Sequence, residues 1–185
     1  MPFIDVIQPE EAEGELKKIY EDLVEKRGKL AEVHKIQSLN PESITRHMDL
    51  YMTLLFGKSP LKRYRREMMA VVVSAANDCE YCQMHHGEAL NHYWKDADKV
   101  AKIRENYRQV DLSTADRLLC ELARDLTVTP SKISEAQVER LKQEGFSDRA
   151  ILDATLIISY FNFVNRVVMG LGVDTDPEEV SGYRY

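Results

Sequence analysis

An all-α fold is what this chain of 185 residues predicts, on three observations. Its apolar residues recur at three- and four-residue spacing rather than in alternation, and only 8 Gly and 6 Pro punctuate it. Ser, Asp or Asn repeatedly stands where an apolar run begins. Pro9 with Glu10 and Glu11 makes an acidic first turn, after which Leu16, Ile19, Tyr20, Leu23 and Val24 keep one apolar face as far as Gly28. Asn40-Pro41 and Ser59-Pro60 each set a capping side chain before a proline at the first helical position, opening helices of about four turns. The second of these carries Glu67 into the apolar run 68–76 and stops at Asn77-Asp78. A new helix starts at Asp78 or Cys79 and continues through His86, Leu90 and Tyr93. Residues 96–107, 113–126 and 134–144 give three more helices, with Pro130 between the last two. Ser147-Asp148 caps a long apolar helix that Gly170 and Gly172 close.

The length predicts one domain, 1–185, with a weak likeness between its two helical halves. Lys and Arg number 25 against 31 Asp and Glu, a formal charge of −6, so the average field repels a nucleic-acid partner. The first residues are neither basic nor apolar enough for a secretory signal, which makes the cytoplasm the expected compartment. Residues 151–173 are long enough to cross a membrane but carry Asp153, Asn162, Asn165 and Arg166. An arginine near mid-span costs about 2.5 to 3.5 kcal/mol, so the segment reads as a buried helix and no membrane partner is expected. The cluster Lys62-Arg63-Arg65-Arg66 reads as a solvated helix face. Cys120, among Leu118, Leu119 and Leu122, reads as a small buried hydrophobe.

Chemistry concentrates in Glu67, Cys79, Tyr81, Cys82, His85 and His86. On a helix Cys82 and His86 share a face, Cys79 lies one turn back, and the first turn stabilises a thiolate. Reducing a peroxide with cysteine takes a thiolate to attack the O–O bond, a proton for the departing alkoxide, and a second thiol to condense with the sulfenic acid. Cys82 as nucleophile, His86 as its base and Cys79 as the resolving thiol supply all three. Glu67, in an apolar setting on the preceding helix, is the acid that steadies the imidazole. Zinc held by Cys79, Cys82, His86 and either His85 or Glu67 is an alternative, although structural zinc sites usually draw on two separate knuckles. His85 points about 100° away from His86 and reads as a surface or interface residue. His34, His47 and His92 have no partner in the sequence. Asn162, Asn165 and Arg166 read as a structural hydrogen-bond network.

The spacing of Glu67, Cys79, Cys82 and His86 resembles the active-site signature of alkyl hydroperoxidase D-like (AhpD-like) proteins, within the carboxymuconolactone decarboxylase superfamily. The whole chain resembles the peroxidase-related branch in length, helical order and the Phe161-Asn162 to Asn165-Arg166 stretch. The resemblance implies an AhpD-like helical fold whose conserved hairpin carries the C-x-x-C motif, in a homo-oligomer, a trimer or hexamer. It implies that a hydroperoxide is attacked by Cys82, that Cys79 resolves the sulfenic acid as a Cys79-Cys82 disulfide, and that Glu67 with His86 relays the proton. The implied electron donor is a thiol, on a lipoyl-bearing or thioredoxin-like protein. Well-studied members carry a histidine immediately before the second cysteine, where this chain has Tyr81. A phenol of pKa near 10 donates a hydrogen bond but carries protons poorly at neutral pH. The alternative is therefore general thiol-disulfide exchange with little peroxidase activity. A decarboxylase or lactone-processing role, the activity the superfamily is named for, has no use for the two thiols.

Overall fold

Side-chain caps fix five of the helix starts: Asn40, Asp96, Ser113, Ser134 and Ser147 each accept from a backbone N–H three residues on. The computed structural model describes residues 1–175, 179, 180, 182 and 183, and among them holds nine α-helices and no strand. These are α1 (Gly14–Arg27), α2 (Glu32–Lys35), α3 (Pro41–Tyr51), α4 (Arg63–Ala76), α5 (Glu80–Trp94), α6 (Ala97–Asn106), α7 (Thr114–Val128), α8 (Glu135–Gln143) and α9 (Asp148–Gly170).

The elements depart from the sequence reading in four places. Residues 9–12 form a turn closed by Ala12 N–H on the Pro9 carbonyl, and α1 waits until Gly14, whose φ of 55° swings the chain into the helix. Ser59 caps only a local turn, accepting from Leu61 N–H, and α4 starts at Arg63. A π-helical stretch, Met52–Phe56, prolongs α3, and α2 is a four-residue helix that no periodicity announces.

That π-helical end corrects the reading of the basic cluster as a solvated face. The Arg66 guanidinium is buried and donates to the carbonyls of Leu54, Leu55, Gly57 and Leu61. It satisfies acceptors that the π-helical turn leaves open. Arg65 pairs with Asp116 at 2.6 Å, and Arg63 turns inward.

α4 is the centre of the core, packed against α5, α7 and α9, with residues 66–74 all buried. Each fully buried Met or Val there contributes roughly 1.5 to 3 kcal/mol. α9 is long and apolar enough to cross a membrane, but it buries ten residues, among them Ile157, Ile158, Phe161 and Asn165, and packs as a core helix. A smaller apolar cluster of Ala12, Leu16, Tyr20, Leu23 and Ile44 fastens α1 to α3. The two helices thereby form a wall facing the α4–α5 hairpin.

Candidate functional site

The hairpin turn sets the sulfurs. Asp78 adopts φ 56°, and Cys79 N–H donates to the Ser74 carbonyl at 2.9 Å, so α4 reverses into α5 with Cys79 in the N-cap position. The polar residues around the break are held by α9. Asn77 Nδ2 donates to Asn162 Oδ1 and Asn165 Oδ1, and Asn165 Nδ2 donates to Ser74 Oγ. Arg166 bonds the Asn162 carbonyl and Oδ1 from the exposed side. This network explains the buried polar residues of an otherwise apolar helix, because it ties the cysteine-bearing turn to α9.

Cys79 and Cys82 are both buried and share a hydrogen bond. That bond, helped by the Cys82 backbone N–H, holds the Cys79 thiol below its ordinary range against the opposing effect of burial. Cys82, the donor, is pushed well up by the same bond and by burial, with Asn165 acting the other way. Within the pair the surroundings favour charge on Cys79, at the helix N-terminus, over Cys82.

Glu67 and His86 are brought together. Glu67 is fully buried, its Oε2 lies 2.7 Å from His86 Nδ1, and its Oε1 lies 2.6 Å from the Arg63 guanidinium. Burial raises the carboxyl pKa, but His86, Arg63 and Arg27 outweigh it and the net direction is down. An ionised Glu67 accepts from Nδ1–H, which leaves the Nε2 lone pair of a neutral His86 as the free base. The ring packs edge-on against Phe161, 4.4 Å between centroids.

Beside this pair lies a cavity of about 80 Å³. One water needs roughly 10 to 15 Å³, so a small organic molecule is within its range. Cys82 and His86 line it; Cys79 does not. The facing wall carries His34, His47 and Tyr51, together with Tyr160 of α9. His47 bonds Tyr160 Oη through Nε2 at 2.6 Å and Gln37 through Nδ1 at 2.9 Å. Burial holds His47 at about 4, and burial with its cationic and imidazole neighbours holds His34 at about 3. Sequence reasoning gave neither a role, though His47 falls on the same face as Ile44 and Tyr51.

Tyr81 also lines the cavity, but its hydroxyl is occupied. It donates to Glu179 Oε1 at 3.0 Å and accepts from Val33 N–H at 3.3 Å. Burial and the Glu179 charge push the phenol well above its ordinary range. His85, read as a surface or interface residue, is enclosed by its own chain: its ring is tilted against Tyr81 at 4.3 Å and sits 3.8 Å from Glu179. Cys120 is fully buried, its thiol pushed far up by burial. Among the described residues no group of three or more His, Cys, Asp or Glu is placed to hold a metal ion.

The carboxymuconolactone decarboxylase family model matches residues 41–107, a span that includes α3, the hairpin and α6. An uncharacterized peroxidase-related protein from Silicibacter sp. TM1040 superposes with a TM-score of 0.84 at 32% identity, covering 99% of this chain and 93% of its own. An uncharacterized peroxidase-related protein from Ralstonia eutropha JMP134, whose structure is described as an alkylhydroperoxidase AhpD core, superposes at 0.88 with 23% identity over 97% and 94% of the two chains. The debrominase Bmp8 has the same fold at 18% identity, TM-score 0.78, over 97% and 98%. A cysteine-to-alanine variant of Bmp8 is solved in complex with 2,3,4-tribromopyrrole.

Proposed function

The chain belongs to the AhpD-like, peroxidase-related group of the carboxymuconolactone decarboxylase superfamily, and on that premise we propose that it is a thiol-dependent peroxidase reducing organic hydroperoxides. One observation carries the reading: of the two hydrogen-bonded thiols only Cys82 faces the cavity, with His86 beside it and Cys79 one turn behind.

The chemistry runs in two steps. His86 Nε2 takes the Cys82 proton, and the imidazolium is stabilised by the Glu67 carboxylate. The Cys82 thiolate attacks the terminal peroxide oxygen; the O–O bond breaks, and the alkoxide leaves with the proton held on His86. Cys82 is now a sulfenic acid. The Cys79 thiolate attacks its sulfur, expels hydroxide that solvent protonates to water, and closes the Cys79-Cys82 disulfide. The depressed pKa of Cys79 suits this second attack. A dithiol on a lipoyl-bearing or thioredoxin-like donor then returns the pair to the reduced state by exchange.

The cytoplasm, where thiols stay reduced, fits this cycle. A homo-oligomer fits the apolar side chains that α9 leaves exposed, Leu152, Leu156 and Phe163.

A second reading, thiol-disulfide exchange with little peroxidase activity, is favoured by Tyr81, whose hydroxyl is spent on Glu179 and Val33 and cannot serve as a proton carrier. Consumption of cumene hydroperoxide by the Cys82→Ser protein separates the two. Peroxidase chemistry requires that it stop, that Cys79→Ser retain a sulfenic acid trapped by dimedone, and that one equivalent of peroxide remove two hydrogens from the wild-type peptide holding both cysteines. An unchanged rate in Cys82→Ser ends the proposal.

A further inference from the structure

The cavity contains a second hydrogen-bonded pair, on the wall opposite the cysteines, whose donors and acceptors can be assigned. Gln37 Nε2 lies 2.6 Å from the Val33 carbonyl oxygen and 2.9 Å from His47 Nδ1, while its Oε1 meets Ser43 Oγ at 3.5 Å. An amide turned the other way would set two oxygens against each other at Val33, so the NH₂ group faces both acceptors. His47 Nδ1 therefore accepts, and a neutral ring must carry its hydrogen on Nε2. That hydrogen goes to Tyr160 Oη, 2.6 Å away. A phenol whose oxygen accepts from His47 has its own hydrogen left to give, and among the described residues no acceptor for it is present within the protein. Tyr160 is nearly fully buried and lines the cavity together with Cys82 and His86. A buried donor without an acceptor is costly, and an oxygen of the cavity's occupant is what would satisfy it.

We propose that Tyr160, oriented by His47 and Gln37, is the hydrogen-bond donor to the leaving oxygen of the hydroperoxide attacked by Cys82, an oxyanion site for the developing alkoxide. The inference rests on the peroxidase reading. No proton is transferred through it: the phenol stays a phenol, since burial and the nearby Tyr51 and Cys82 oppose its ionisation, and the proton for the alkoxide comes from His86. Tyr160 acts on the substrate directly, as a catalytic residue. His47 and Gln37 are positioning residues that decide where its hydrogen points. A donor aimed at developing charge in a dry site commonly contributes about 10² in rate, and its contribution grows with the basicity of the leaving oxygen.

That last property separates the proposal from a structural role. Sulfenic acid formation is timed by stopped flow with two probes: cumene hydroperoxide, which releases a strongly basic alkoxide, and peracetic acid, which releases a weakly basic carboxylate. In Tyr160→Phe the first reaction slows by ~10² and the second by only a few-fold, while alkylation of Cys82 by iodoacetamide keeps its wild-type rate. His47→Gln, whose amide can still donate to Oη, retains most of the cumene hydroperoxide rate; His47→Phe loses as much as Tyr160→Phe. Equal slowing with both peroxides, or none with either, overturns the oxyanion site and leaves the peroxidase reading intact. A wild-type protein inert to both removes that reading and this inference with it.

Discussion

His86 meets an acid borne by the interior of α4, 2.7 Å from its Nδ1, whereas its neighbour His85 looks across 3.8 Å at Glu179, from the C-terminal segment. The pKa values of the two carboxyls move in opposite directions. Glu67 is the more buried, yet His86, Arg63 and Arg27 bring its pKa down and keep it ionised. Glu179 accepts from Glu32 N–H, Tyr81 and Tyr183, and burial still raises it. His85 is driven to about 3 by burial, His86 and Lys29. Its Nε2 and Glu179 Oε2 are buried without a hydrogen-bond partner among the described residues. Glu67 becomes a working charge because His86, and after it Arg63 four residues back on the same helix, outweigh its burial. At Glu179 the hydrogen bonds do not outweigh burial, and Tyr81, His85 and Tyr183 around it line the cavity.

Removing the charge of Glu67 tests this contrast most severely. Glu67→Gln keeps the shape but leaves the inward-turned Arg63 without its counter-charge and His86 without the group that stabilises its imidazolium. Peroxide consumption should fall by ~10²-fold or more, and denaturant unfolding should show a loss of about 3 kcal/mol. Arg63 retains its bonds to the Leu55 carbonyl and its stacking on Phe56 at 3.9 Å, which keeps the loss from being larger. A variant as active as the parent would mean that His86 needs no acid.

The cluster side of the contrast predicts how stability depends on pH. His34, His47 and His85 have folded values of about 3, about 4 and about 3, against 6.5 when unfolded. Between pH 6.5 and 4 the unfolded chain binds protons that the folded one excludes, so stability falls as pH is lowered, by up to ~1.4 kcal/mol per unit for each group. Glu67 acts in the same direction at lower pH: its depressed value contributes stability above about 4.5 that is lost as pH drops through the folded value. Melting temperature should therefore decline steadily from pH 7 to 5, and His47→Gln should flatten the decline by about a third, one titrating group of three. A melting temperature that holds or rises over that range contradicts the burial of neutral imidazoles.

The two sides also differ in how much of them the sequence discloses. Glu67, Cys79, Cys82 and His86 lie within one hairpin, where helical spacing alone sets which side chains meet, so residue intervals suffice. The capped starts at Asn40, Asp96, Ser113, Ser134 and Ser147 are legible for the same local reason. His47 and Tyr160 are 113 residues apart and meet only where α3 and α9 both line the cavity. Arg66 looks like a surface charge until the π-helical turn supplies carbonyls for it, and that turn has no pattern of its own. Tyr81 carries no sign in the sequence that its hydroxyl would be taken by Glu179, 98 residues away.

The mildest test falls on that last contact. Glu179→Gln preserves an acceptor for Tyr81 and Tyr183 and removes a carboxyl whose pKa burial raises. If the His85 side only closes the cavity, the rate constant for Cys82 oxidation by cumene hydroperoxide should change by less than about threefold, because no imidazolium there needs a counter-charge. His85→Asn should do as little to the rate while shifting the KM for bulky hydroperoxides, since the ring tilted against Tyr81 forms part of the wall. Loss of activity in Glu179→Gln comparable to that of Glu67→Gln would place a second working charge on the C-terminal segment, and the distinction between relay and lid would collapse.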